Sequence, residues 1–205
     1  MDPRTLLAAP AVFKVFKRVI SRSRGADELV QRHIRPWPGA RILDIACGLG
    51  GILEQLPQVH YDGFDIDPTY IASARRTYGD RGTFHCADVT TADVQANAYD
   101  IVMAIGVLHH LDDDQARVLI ALARRALVTG GRLISFDGCY VPGQSRIARF
   151  LLAKDRGRHV RDEEGYARLV REQFAEVSVS LRHDWLRVPY THIIMEGTRH
   201  DRPPA

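Results

Sequence analysis

The chain has 205 residues, 45% of them hydrophobic and 26% charged, with a formal net charge of +3. That length suits one domain with a full core and is short for two. No apolar run reaches membrane-spanning length, and the basic bias is too weak by itself to indicate a nucleic-acid partner. Cys47, Cys86 and Cys139 are odd in number and widely spaced, which argues against a disulfide framework or zinc cluster and for a reducing compartment. With no proper signal peptide at the N-terminus, a cytoplasmic protein is expected.

Residues 5–20 set Val12, Phe13, Phe16, Val19 and Ile20 at helical spacing opposite Lys14, Lys17 and Arg18. Such an amphipathic helix more often packs on its own domain than lies on a membrane surface. The segment RPWPG at 35–39 ends the helical pattern, since proline restricts its own torsion and that of the residue before it. From there the patterns alternate: strand 41–46, helix 49–56, strand 60–66, helix 68–78, strand 82–86 and a short helix near 90–95. Strand 99–106, helix 112–127 and strand 131–137 follow. Strands separated by helices of this length imply right-handed crossovers and a parallel sheet covered on both faces, an α/β fold. Runs 174–182 and 188–196 are strand-like and too close for a parallel return, so they should pair antiparallel. The stretch 138–160 falls outside the alternation. Its position after the fifth strand places it at the carboxyl edge, where open α/β sheets bind ligands, and makes it a candidate substrate lid.

The segment LDIACGLGG, 43–51, sets Asp44 at the end of a buried strand, just before a glycine-dense turn. A carboxylate there needs a partner, which could be backbone or ligand. Glycines let backbone amides approach a bound molecule closely. Asp65, 21 positions on, falls at the end of the second predicted strand, where a carboxylate can accept from both hydroxyls of a ribose. Asp67 precedes Pro68 and better serves as a helix cap. A dinucleotide fits poorly: the third glycine of G-x-G-x-x-G would fall on Leu53, and Asp44 would repel a pyrophosphate. A ligand with a ribose and a cationic amine, and no phosphate, fits better.

With these residues in view, the chain resembles the class I S-adenosylmethionine-dependent methyltransferases, in particular their small-molecule branch. LDIACGLGG is similar to the family's first motif, with Ala46 in place of a usual glycine. GFDID resembles the second-strand motif, FHCADV (84–89) that of the third, and YDIVMAIGVLHHL (99–111) with LVTGGRLISFD (127–137) the fourth and fifth strands. The likeness covers about residues 36–137 strongly and the rest weakly. It implies a Rossmann-like seven-stranded, mostly parallel sheet of order 3-2-1-4-5-7-6 with strand 7 antiparallel and helices on both faces. It also implies S-adenosyl-L-methionine as cofactor. Asp44, Ala46, Gly48 and Gly50 would surround the methionine end, and Asp65 the ribose, with Ile66 against the adenine. Asp88 would accept from the adenine amino group beside Val89, and Ile105 and Gly106 would line the methionine moiety. The alanine at 46 should matter only if that position requires positive φ.

The expected organisation is a single methyltransferase domain over 1–205. It divides into an N-terminal helical cap (1–35), a cofactor-binding core (36–137), a candidate lid (138–160), and a C-terminal helix with an antiparallel strand pair (161–205). In-line displacement needs chiefly a well-placed nucleophile, and a general base is optional. For a hydroxyl acceptor the candidate bases are His109, His110, Asp137 and Tyr140. The histidines of LHHL also fit the simpler role of shaping the cofactor site. Asp112, Asp113 and Asp114 read as a helix cap rather than a metal site. The basic residues of 146–161 could meet an anionic acceptor or form a solvated face. The expected partner is a small-molecule methyl acceptor, an anionic one included, with no nucleic acid, no stable membrane insertion, and a monomeric or homodimeric state. A non-enzymatic S-adenosylmethionine-binding or partner subunit is the alternative, and a dehydrogenase the third reading.

Overall fold

The computed structural model describes residues 23–154 and 157–201. The amphipathic helix expected at 5–20 lies outside them. The apolar run before the glycine turn forms β1 (Arg41–Ile45), with β2 (His60–Asp65) and β4 (Tyr99–Ile105) as parallel neighbours. β3 (Thr83–Cys86) extends the sheet beside β2, and β5 (Leu127–Gly138) beside β4, both parallel. β7 (His192–Thr198) then runs antiparallel between β5 and β6 (Glu176–Arg182). The described sheet thus has seven strands in the order β3-β2-β1-β4-β5-β7-β6, the expected topology.

Each face of the sheet carries its own apolar layer. On one, Leu43, Val102, Leu133 and Met195 pack with α3 (Asp113–Ala126) and α5 (Glu163–Arg171). On the other, Ile42, Ile101 and Ile134 pack with α2 (Pro68–Tyr78) and with a π-helical turn, Leu29–Ile34, that continues α1 (Ser23–Glu28). Residues two apart on a strand share a face, so alternation along β1 divides Ile42 from Leu43 in this way. The remaining helix, α4 (Arg146–Ala153), lies within the candidate lid.

Local chemistry sets the helix starts. Asp67 accepts from the Thr69 and Tyr70 amides to cap α2, and Pro68 takes the first helical position, where its missing N–H costs nothing. Asp112 and Gln115 form a reciprocal capping box at α3. Asp113 instead pairs with Arg161 and Arg168.

Three expectations need correction. The helix expected at 49–56 is a single 3-10 turn, Gly51–Glu54, because only six residues separate Gly50 from Pro57, and proline disfavours helical backbone just before it. No helix forms near 90–95. There Asp88 accepts from the backbone and hydroxyl of Thr90, a local turn that competes with helix nucleation. β7 begins at His192 rather than 188, since Pro189 has no N–H to give the ladder.

Candidate functional site

The carboxyl ends of β1, β2 and β4 converge on the glycine turn. Asp44 is buried, and it accepts a 2.6 Å hydrogen bond from the Tyr61 hydroxyl on neighbouring β2. Burial and the nearby Asp44 carboxylate push the Tyr61 phenol well above its ordinary pKa, so it stays a donor. Asp65 is half-buried at the tip of β2. Its Oδ2 accepts from the Gly48 amide at 2.9 Å and its Oδ1 from the Asp67 amide at 2.9 Å. Each carboxylate oxygen has two lone pairs, so the same side chain can hold the turn and still accept from a ligand.

Gly48 has φ 56, and open space where a side chain would stand. A ligand can therefore approach its backbone at the strand-to-turn junction. Ala46 has φ 59, so the alanine occupies the left-handed region that favours glycine. The condition under which this alanine should matter is met.

Beside the turn, Ile66 is 75% exposed, although it is a large apolar side chain. Asp88 is exposed and closes its own turn with Thr90, whereas the Val89 side chain is buried in the core. Val89 can therefore meet a ligand chiefly through its backbone. Ile105 is half-buried at the end of β4, and Gly106 ties that end to β5 by donating to the Phe136 carbonyl.

Of the expected catalytic residues, the fold brings His109 and Asp137 together. Asp137 Oδ1 accepts from both Nδ1 and the backbone amide of His109, at 2.7 and 3.1 Å. Burial pushes the Asp137 carboxyl up, and the two His109 hydrogen bonds oppose that shift. The His109 ring lies beside Gly106. His110 is exposed, with its ring 4.1 Å from that of His109 between centroids. Tyr140 lies farther along the chain beyond β5, bridged to Asp162 with the Arg149 guanidinium over its ring.

Other features were not legible in the sequence. Tyr61 is one; the signal was its place on β2 facing the same side as Asp44. A second is the strap 157–161. Gly157 lies so close to His109 that a Cβ there would stand 2.0 Å from its Cδ2, and the His159 amide donates to the His109 carbonyl. Arg161 binds the Leu108, Leu111 and His159 carbonyls as well as Asp113. Its guanidinium is thus taken up by protein, leaving the solvated or ligand-binding role to other basic residues of the segment. A cavity between 141–148 and 183–191 is the third.

Among the described residues no group of three or more His, Cys, Asp or Glu side chains is arranged to hold a metal. No described helix is long and apolar enough to cross a membrane. The features that could receive S-adenosylmethionine are the open Gly48 backbone, the Asp65 carboxylate and the exposed Ile66.

Residues 42–131 match the family model of a methyltransferase domain. Phosphoethanolamine N-methyltransferase 1 of Arabidopsis thaliana is 27% identical over 154 residues, 72% of this chain and 31% of the plant protein. The probable tRNA methyltransferase 9B of Homo sapiens is 34% identical over 101 residues, 48% of this chain and 21% of the human protein. The chain spans less than a third of either relative's length. Among solved structures, phosphoethanolamine N-methyltransferase 2 of Haemonchus contortus, in complex with phosphomonomethylethanolamine and S-adenosylhomocysteine, superposes with a TM-score of 0.74. That match has 14% identity and covers 95% of this chain and 58% of the other. Domain match, strand order and glycine turn agree: the chain has the Rossmann-like fold of the S-adenosylmethionine-dependent methyltransferases, with a methyltransferase domain matched over residues 42–131.

Proposed function

We propose that this protein transfers a methyl group from S-adenosylmethionine to a small-molecule acceptor at the carboxyl edge of the sheet. The observation that carries the reading is the pair of carboxylates, Asp44 and Asp65, on adjacent strand ends beside the open, left-handed Gly48. Asp44 would face the cofactor's ammonium group, and Asp65 would accept from its ribose. Ile66 would cover one face of the adenine, Asp88 would accept from the adenine amino group, and Ile105 and Gly106 would border the methionine chain. The sulfonium supplies an already activated methyl group. What this chain adds is position, which can contribute roughly 7–11 kcal/mol toward such a barrier.

His109 is foremost a positioning residue in this reading. Asp137 Oδ1, accepting from Nδ1, fixes the ring with its proton there, which leaves Nε2 as the nitrogen to accept one. If the acceptor atom is a hydroxyl oxygen, Nε2 of His109 or the exposed His110 would take the proton. The core over 36–137, the lid over 138–160 and the N-terminal cap over 1–35 would serve one domain. A cytoplasmic setting and a monomer or homodimer complete the proposal.

Calorimetric titration with S-adenosylmethionine, and with NAD in parallel, tests the reading. Saturable binding of the first alone is expected. Binding of NAD alone would overturn it, and binding of neither would favour a partner-dependent or non-enzymatic protein.

A further inference from the structure

Helix α4 packs on the protein by one face. Ala148 and Leu152, one turn apart, are 3% and 1% exposed. Leu152 reaches the carboxyl end of β5, where a Cβ added at Gly138 would stand 2.7 Å from its Cδ2. Ser145 holds the first turn by accepting from the Ala148 amide at 3.1 Å. This seating turns Phe150 outward, with Arg146 one turn before it and Lys154 one turn after. Ile147 stands beside Phe150 on the same surface, and the two are 60% and 61% exposed.

The charges on this face have one sign. The sequence has no acidic residue between 138 and 154, and the run 146–158 holds five basic residues and one acidic, Asp155. Among the described residues none of Arg146, Arg149 and Lys154 forms an ion pair. Arg149 lies over the Tyr140 ring and Lys154 over that of Phe150, 5.6 and 5.9 Å from the centroids. An outer face with two large apolar side chains at its centre is not the pattern of a merely solvated helix. A second copy in twofold contact here would set these cations against their own counterparts. A phospholipid surface fits both halves of the pattern, taking apolar side chains at the acyl boundary while arginine and lysine heads reach the phosphates.

We infer that the outward face of α4 docks this protein on an anionic phospholipid surface. Ile147 and Phe150 enter the boundary between headgroups and acyl chains, and Arg146, Arg149 and Lys154 meet lipid phosphates. Net negative headgroups supply the complementary charge that a zwitterionic surface lacks. The contact is peripheral: α4 has eight residues, about 12 Å of helix, and no described helix is long and apolar enough to cross a membrane. Because Leu152 and Ala148 seat α4 at the carboxyl end of β5, docking sets that edge of the sheet beside the lipid. The inference goes beyond the methyltransferase reading and does not depend on it.

The test is co-sedimentation of the full chain with vesicles of phosphatidylcholine alone or mixed with phosphatidylglycerol. Binding to the mixed vesicles is expected, weakening as salt is added, with phosphatidylcholine alone bound roughly tenfold or more weakly. Arg146→Gln combined with Arg149→Gln should lower affinity by about tenfold or more, since each cation near the surface contributes on the order of fivefold. Ile147→Ser combined with Phe150→Ser should lower it as well while keeping the charge. All four side chains are exposed, so thermal unfolding of both variants should stay near that of the wild type. Phe150→Trp keeps an aromatic ring and reads the contact directly: brominated phosphatidylcholine in the mixed vesicles should quench its emission beyond the level set by Trp37 and Trp185. Failure to bind the mixed vesicles, equal binding to both vesicle types, or binding unchanged in both double variants would overturn the inference. Binding of single-stranded DNA or an acidic peptide in place of the vesicles would do the same. Calorimetry with S-adenosylhomocysteine reads the cofactor site separately, so a negative vesicle result leaves the methyltransferase reading where it stands.

Discussion

Asp137 Oδ1 accepts two hydrogen bonds from one residue, the backbone amide and Nδ1 of His109, and so ties the loop after β4 to the end of β5. Both side chains are buried. Asp137→Ala would leave a buried ring N–H without its acceptor and should cost about 1–3 kcal/mol of stability. Asp137→Asn keeps an acceptor oxygen and should cost less. Because burial raises the folded-state pKa of Asp137, its contribution to stability is full below the unfolded pKa and is lost as pH rises through the folded value. Asp137→Asn should therefore gain on the wild type as pH rises. Denaturant unfolding across pH would expose the error if that difference stayed flat.

Asp65→Ala should reduce S-adenosylmethionine affinity at least tenfold, since charge-assisted hydrogen bonds contribute about 1.5–3 kcal/mol each. The fold should survive, with a modest loss because the Gly48 and Asp67 amides lose their acceptor. Calorimetry and circular dichroism on one preparation separate the two effects. Wild-type affinity in the variant would remove Asp65 from the site.

At position 46 the backbone has φ 59 with an alanine in place. Left-handed geometry costs a non-glycine residue about 1–2 kcal/mol, partly offset in Ala46→Gly by the greater freedom of the unfolded chain. A net gain of up to about 1 kcal/mol is expected, or roughly 2–4 °C in Tm for a chain of this size. A fall in Tm would show that the turn carries no such strain.

Glu196 joins the sheet to the π-helical turn, accepting from His33 at 2.8 Å and Arg35 at 2.7 Å. Burial alone would raise its pKa, but these hydrogen bonds outweigh burial and hold the carboxyl below its usual value of 4.5. The stabilisation is present above that value and disappears as pH falls through the lower folded pKa. Glu196→Gln should be less stable at neutral pH and should converge toward the wild type on acidification. Parallel unfolding curves at every pH would refute the assignment.

Gly157→Ala would drive a Cβ into the His109 ring and the His109 carbonyl. The strap should lift from the loop after β4, raising protease sensitivity within 157–161 while the sheet remains folded. Limited proteolysis with mass mapping reads this directly. An unchanged cleavage pattern would show that the strap is not seated on His109.

Alternating strand and helix patterns, Asp44 and Asp65 at strand ends, the Asp67 and Asp112 caps, and the antiparallel closing pair were all legible in the sequence. Each depends on local periodicity, turn chemistry or short-range hydrogen bonding, which neighbouring residues largely determine. The Tyr61 hydroxyl on Asp44, the Asp137 carboxylate under His109 and Gly157 against the same ring were decided by the tertiary structure. Those relationships arise from the register of adjacent strands and the docking of distant loops, where partners far apart in the chain meet. The positive φ of Ala46 lies between the two: its residue type is plain in the sequence, but the strain exists only once β1 must turn over the end of β2.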